Sequence, residues 1–537
     1  METKLISNIN YKKFSAITVI FLSFLIFIKI DYRINEPNSE GASDDTSYYF
    51  HASTLAKDFD LDYTNQVSQT NYEQFYNSKK NSYVPRHPFG AGLLSSPFMF
   101  LGVVIERISN TINISYFVYS LSSLFYLCIS YSLLSRILYK SLKKNRALFN
   151  VSFFGSGILY YATERFSMTH SYEFFATSFL IYMSYKIEHS IKTNDIKNLN
   201  KLLFFTSFLS FVFLSIRWTN YYIFLIPFLY FSINKNLKYN TITMLKNLWF
   251  YIGFLIGIGV FLLHTQSIYG IYTFNAWDIY SASLIIENLN NMFYGRFDSG
   301  FLNFITINLI NFYRILFSLE FGLFFISPVL FILFLFPIYY LFKKQILNFV
   351  ILLIILFVPL GTVLAWQTTA SSFGYRYLFS LIPIGIFVIF KESPNKITNK
   401  YLLLFGIFSI LSTLFFETNQ LTVLDEQINS FGVLHKYSAP QFVLGVVVSI
   451  FSITSYLKIF FTSYLGVLFI KILYLLNLDN LFIDLVIDLG FWNNDVERLI
   501  NYSINFYWLN FSLLVLIFYL FYKSIKQPGF IVNYFEK

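Results

Sequence analysis

The sequence predicts an all-α polytopic membrane protein with about 12–14 transmembrane helices. Two observations lead there. Charged residues make up 13% and hydrophobic residues 56% of the 537 positions, so the charged share is about half that of an ordinary soluble domain. Apolar blocks of crossing length recur from end to end, with a mean hydropathy of +0.55, and leave no room for a large soluble domain.

The elements follow in order. A crossing helix needs about 20 apolar residues. Runs of that kind fall at 14–30, 115–139, 148–163, 172–186, 248–268, 321–342, 345–364, 377–390, 401–416, 440–460, 462–477 and 506–522. Phe14–Ile30 follows Lys4, Lys12 and Lys13 without a small-residue cleavage site, and reads as a retained anchor. The pair 202–216 and 219–233 flanks Arg217 and reads as a short hairpin, its tip at membrane depth or near the outer face. Phe89–Ile105 is apolar but carries Gly90, Gly92 and Pro97, and reads as a broken, interfacial or partly inserted segment.

Loop charge orients the chain. The net charge is +10, which in a soluble protein would point to nucleic acid. Here the Lys and Arg residues sit in short connections between apolar blocks, so no nucleic-acid partner is expected. Basic connections at 140–146, 186–201, 235–246, 343–344 and 391–400 share one side if the N-terminus is cytoplasmic. Cys128 is the only cysteine, which excludes an intramolecular disulfide and a cysteine metal cluster.

Candidate chemistry clusters toward the other side. The first extracytoplasmic loop, 31–88, is expected to carry amphipathic juxtamembrane helices. Asp44 and Asp45 precede a helical face of Tyr48, Ala52, Leu55, Ala56 and Phe59. The two carboxylates either cap that helix or stand as reactive groups just above the membrane. The loop ends in Arg86 and His87, which either bind a phosphate at the interface or anchor the next segment to headgroups. Glu164, Arg165, His170 and Glu173 lie at the mouth of two spans. A plainer reading pairs Glu164 with Arg165 and makes His170 an interfacial side chain. Arg217 and Arg376 need either a carboxylate partner or an anionic ligand, and their planar forks suit phosphate. Glu320 ends a long outer stretch that either covers the helix bundle or contacts substrate. No Gly-Lys-Ser/Thr phosphate loop and no His-Glu-x-x-His helix occurs, so ATP-driven pumping by this chain alone is not expected.

Four pieces then recur in a familiar order: Asp44-Asp45 with Tyr48; His87-Pro88-Phe89-Gly90-Ala91-Gly92 with Pro97; Arg217-Trp218-Thr219-Asn220; and Phe321-Gly322 to Ser327-Pro328 followed by Ser372 to Leu378. Together they resemble the GT-C superfamily of membrane glycosyltransferases, nearest to its dolichyl-phosphate-mannose mannosyltransferase-like and aminoarabinose transferase-like bacterial branch. The resemblance covers most of 1–390 as a catalytic core, with 391–537 as C-terminal helices of variable function. Asp45 stands where the family usually has Glu, and Thr46 where it has Pro. His170 and Glu173 stand where many relatives place a second carboxylate.

The resemblance implies a polyprenyl-phosphate sugar donor and a glycan, lipid or protein acceptor. It implies transfer at the extracytoplasmic face of a bacterial inner membrane, with inversion at the sugar carbon. Asp44 is then the catalytic base and Asp45 its neighbour or alternative. Arg217, Arg376, Arg86 and His87 face the donor phosphate, and Tyr48, His170, Glu173 and Glu320 contact substrate. A divalent metal is left open. Two other classes stand beside this one. A non-enzymatic glycolipid flippase or secondary transporter calls for ionisable groups at mid-span and an internal repeat. A polyprenyl-linked polysaccharide polymerase or ligase calls for a large late outer loop. The informative loop here is the first, and most of the ionisable groups lie at the outer ends of spans.

Overall fold

The computed structural model describes residues 44–67, 76–109 apart from 78 and 86, 114–275 apart from 164, 322–366, 375–392, 396–415 and a few isolated positions. The spans expected at 14–30, 440–460, 462–477 and 506–522 lie outside the continuously described residues, as do Arg86, Glu164 and Glu320.

Helix α1 is Asp44–Ser53, continued by a π turn at Thr54–Asp58. A two-residue antiparallel ladder follows, β1 Tyr76–Asn77 with β2 Ser82–Tyr83. Then come α2 (Gly90–Ser109), α3 (Ile114–Ile137), α4 (Tyr139–Phe154), α5 (Ile158–Thr163), α6 (His170–Lys192) and α7 (Ile196–Leu214). A 3-10 turn at Tyr221–Leu225 leads into α8 (Ile226–Ile233), followed by α9 (Leu237–Leu245) and α10 (Leu248–Tyr269). The later elements are α11 (Leu323–Ile326), α12 (Pro328–Phe342), α13 (Ile346–Trp366), a 3-10 turn at Arg376–Leu381, α14 (Ile382–Glu392) and α15 (Lys396–Phe415).

Apart from the small ladder, the regular elements of the described chain are helices, and it is an integral membrane protein. Among the described residues, four helices are long and apolar enough to cross a membrane: Gly90–Ser109, Ile114–Ile137, Leu248–Tyr269 and Ile346–Val363. Tyr221–Ile233 and Pro328–Phe342 are shorter apolar helices. α3 lies mostly inside the protein, whereas α10 exposes Leu248, Leu255, Leu263 and other large apolar side chains. Such a face is stable only against lipid or another apolar surface. The expected run at 148–163 is two helices, interrupted between Gly155 and Gly157.

One sequence expectation needs correction. Residues 89–105 do not form a broken segment; α2 is a continuous helix through Pro97. Proline removes one amide and so leaves the carbonyl four residues back without its helical donor. That carbonyl belongs to Leu93, and the Ser96 hydroxyl donates to it at 2.9 Å. The glycines do not break the helix either, because they occupy its first turn and serve close packing. The Gly90 amide donates to the Ser215 carbonyl at 2.8 Å. A Cβ on Gly92 would fall on the Cβ of His51.

α1 and α2 therefore run against each other, and Phe59 beyond α1 meets Phe100 with ring centroids 5.6 Å apart. Gly92→Ala is expected to push the two helices apart and lower the thermal midpoint in detergent. Gly259→Ala has open space around the new methyl and is expected to leave the midpoint unchanged or slightly raised. Fluorescence-detected size exclusion after heating separates the two outcomes.

Candidate functional site

Six elements begin or end at one place. α1 begins with Asp44, the connection before α2 brings His87, and α6 begins with His170 and Glu173. The α7–α8 connection brings Arg217 and Asn220, α10 ends with Tyr269, and the 3-10 turn before α14 begins with Arg376. Element ends are where backbone polar groups are left unpaired, so ionisable side chains gather here at least cost.

Asp44 stands at the centre. Its carboxylate accepts from His87 Nε2 at 2.9 Å and from Arg376 at 3.3 Å, and its side chain is 30% exposed. Burial opposes ionisation of this carboxyl, but His87, Arg376 and Arg217 outweigh it and hold its pKa well below the usual carboxylate range. The His87 Nδ1 faces the Ser47 hydroxyl at 2.8 Å, and Tyr48 packs on the His87 ring with centroids 5.6 Å apart.

Asp45 has a different fate from its neighbour. One helical step turns it away, and at 2% exposure it accepts from Arg165 Nε at 2.8 Å. Arg165 therefore serves Asp45 in a contact across 120 positions, while the expected local pair with Glu164 lies outside the described residues.

Glu173 is the second carboxylate of the cluster. It accepts from Arg217 Nε at 2.7 Å, from the Asn220 amide at 2.7 Å and from the Thr169 hydroxyl. Arg217 also donates to Thr169 Oγ1 at 2.6 Å. The carboxylate partner sought for Arg217 is thus Glu173. The tip Arg217–Asn220 is buried in protein, with Trp218 and Asn220 almost inaccessible, which is the condition under which such backbone is tolerated at membrane depth. His170 is fully buried, packs on Tyr161 with centroids 4.4 Å apart and lies 3.4 Å from Glu173. It is an interior residue, and the interfacial reading is corrected. Tyr48 is likewise buried, beneath His87.

The two arginines are held unequally. Both guanidinium carbons lie over the Tyr377 ring, Arg217 at 4.8 Å and Arg376 at 5.2 Å. The hydrogen bonds of Arg217 are 2.6–2.7 Å. Those of Arg376 are longer: 3.3 Å to Asp44, 3.4 Å to the Tyr377 hydroxyl and 4.0 Å to the Met168 sulfur. Tyr377 was invisible as a site residue in the sequence, because its role exists only once positions 217 and 376 meet.

Asp44, Asp45 and Glu173 each face a guanidinium, and no group of three or more His, Cys, Asp or Glu among the described residues is placed to hold a metal. This donor set does not fit a resident metal ion. Beside the α7–α8 tip, a groove of about 510 Å³ opens between α7, α8 and α10. Phe211, Phe224, Phe228, Phe250 and Phe254 line it, with Ser207 and Ser210 on its α7 wall.

The class defined by these features is a helical membrane protein with a charge-compensated polar cluster where its helices meet. No family model matches the chain, and no curated protein matches it. Among solved structures, it is similar to the Archaeoglobus fulgidus oligosaccharyltransferase in its apo form, at 12% identity and a TM-score of 0.36, over 84% of this chain and 56% of that one. It is also similar to the archaeal oligosaccharyltransferase AglB from Archaeoglobus fulgidus in complex with an inhibitory peptide and a dolichol-phosphate. There the identity is 12% and the TM-score 0.33, over 82% of this chain and 55% of that one. The chain spans little more than half the length of these structures.

Two outcomes follow from the charges. Glu173→Gln leaves Arg217 buried without its counter-ion and is expected to cost about 3–5 kcal/mol. Lys192→Met, at the exposed partner of Glu188, is expected to cost about 1 kcal/mol or less; denaturation in mixed micelles compares them. Asp44 has a depressed folded-state pKa, so its ionic stabilisation is present above about pH 4. It is lost as the pH falls through the depressed value. The stability gap between wild type and Asp44→Asn should accordingly close on acidification, in an unfolding series from neutral pH downward.

Proposed function

We propose that this chain is a GT-C-type glycosyltransferase that moves a sugar from a polyprenyl-phosphate-linked donor to an acceptor hydroxyl at the extracytoplasmic face. The observation that carries the reading is the meeting of Asp44, His87 and Arg376 beside the Arg217–Glu173 pair, with Leu214 and Tyr221 on either side of the Arg217 tip lining an apolar groove. A donor with a charged head and an isoprenoid tail needs both surfaces at once. The groove suits the tail and the arginines suit the phosphate.

Loop charge supports the sidedness. α6 carries Glu173 at its first turn and Lys192 at its last, roughly 30 Å apart at 1.5 Å per residue. The Lys192–Lys201 connection belongs on the cytoplasmic side by its charge, which leaves the site facing outward.

The acceptor oxygen attacks the anomeric carbon as the bond from that carbon to the phosphate oxygen breaks. The lipid phosphate leaves, and Asp44 takes the hydroxyl proton. The unequal grip on the arginines assigns their parts. Arg217, saturated by Glu173 and Thr169, fixes the frame. Arg376, loosely held, turns from Asp44 to the donor phosphate and offsets the charge developing on the leaving group. That hand-over removes a cation from Asp44 and raises its proton affinity toward the range a general base needs. Glu173, His170, Tyr48 and Asp45 shape the walls rather than accept protons.

The test uses purified protein in detergent with radiolabelled polyprenyl-phosphate sugars and crude membrane acceptor. Wild type is expected to label the acceptor. Asp44→Asn, still inserted and folded, is expected to lose about 10²–10⁴-fold. No transfer by wild type from a pool that a known transferase can use would overturn the reading in favour of a glycolipid carrier.

A further inference from the structure

We infer that His51 and Tyr269 are positioning residues that set the Asp44–His87 couple; this rests on the transferase reading of that site. His87 lies in an irregular connection and precedes Pro88, which has no amide to donate. No helix or strand ladder holds this backbone, and its carbonyl has two lone pairs to satisfy. Two side chains from distant elements supply the donors. His51 Nε2 lies 2.9 Å from the His87 carbonyl oxygen, and the Tyr269 hydroxyl donates to the same oxygen at 2.8 Å.

A carbonyl oxygen only accepts, so His51 carries its proton on Nε2. Its Nδ1 then accepts from the Tyr63 hydroxyl at 2.8 Å. The ring is fully buried and edge-on to Tyr63 and Phe89, with centroids 5.3 and 5.4 Å away. Burial pushes its pKa down to about 3, so it serves as a neutral, fixed donor.

The contacts share one helical face. Asp44, Ser47, Tyr48 and His51 follow the i, i+3, i+4, i+7 spacing along α1. Asp44 and Ser47 take the two nitrogens of the His87 ring, Tyr48 packs on the ring, and His51 takes the carbonyl. One face of α1 therefore grips a single residue at four points. Tyr269 adds a link from α10 and packs edge-on against Trp218, beside Arg217, with centroids 5.3 Å apart. Removing the donors releases the His87 backbone and turns its imidazole away from Asp44, and small misplacements of reacting groups cost rate steeply.

The experiment compares wild type, His51→Leu, His51→Gln and Tyr269→Phe in the sugar-transfer assay. Carbethoxylation of His87 is followed in parallel by peptide mass spectrometry. His51→Leu is expected to lower kcat about tenfold or more in its folded fraction, with donor KM nearly unchanged. His51→Gln, which keeps an N–H near the Nε2 position, is expected to recover most of that loss. Tyr269→Phe, which leaves one donor in place, is expected to fall between. His87 is expected to react about threefold faster or more in His51→Leu, as its ring leaves Asp44 and Ser47. Unchanged kcat together with unchanged His87 reactivity in folded His51→Leu overturns the inference. So does a loss that His51→Gln shares in full and that tracks the folded fraction. If wild type transfers no sugar while His87 reactivity still rises in His51→Leu, the positioning role stands and the transferase reading falls.

Discussion

The compensation of buried charge governs the described part of this protein. Glu173, at 1% exposure, and Arg217, at 13%, meet among apolar helices, where an isolated ion of either sign is too costly to keep. The pair persists because Asn220 and Thr169 take up further hydrogen-bonding capacity. Its consequence is architectural. The carboxylate begins α6 and the guanidinium follows α7, so satisfying one charge fixes where two helices meet. Asp45 with Arg165 repeats the device between α1 and the start of α6. At the far end of α6, Glu188 does the same with Lys192, Asn236 and Tyr230. That cluster sits beside basic connections and offers a finished structural clamp.

Within this frame Asp44 is the exception. It shares its face of α1 with three groups that bind His87, yet a third of its side chain stays open and its arginine is held at 3.3 Å. Glu173 and Asp45 are consumed by tight contacts. Of the three carboxylates, Asp44 alone combines solvent access with a long contact to its guanidinium partner. The contacts of Arg217, at 2.6–2.7 Å, are shorter than those of Arg376, at 3.3–4.0 Å.

Much of the helical class was legible in the sequence, because hydropathy is a local property and crossing length is fixed by bilayer thickness. The runs at 115–139, 172–186, 248–268 and 345–364 correspond to α3, α6, α10 and α13. The run 89–105 was misread as broken, since the effect of a proline or glycine depends on neighbours. Ser96 satisfies the carbonyl that Pro97 frees, and His51 fills the space beside Gly92. The site was legible as an inventory: Asp44, His87, Glu173, Arg217 and Arg376 were all singled out. Its pairings were not, and Ser47, His51, Tyr269 and Tyr377 had no signal beyond the i, i+3, i+7 spacing of the first two from Asp44.

What the amino-acid sequence determined by itself is that this chain lives in a membrane, where several of its long described helices fall, and which rare ionisable residues need an explanation. These follow from composition and local periodicity, which need no knowledge of the partner across the bundle. Tertiary structure alone decided which carboxylate is enclosed with its partner and which keeps solvent access. Adjacent aspartates on one helix point some 100° apart, and their guanidinium partners come from 120 and 332 positions away. No local rule specifies such a pairing. It is set by where the helices meet when every buried charge must find its opposite.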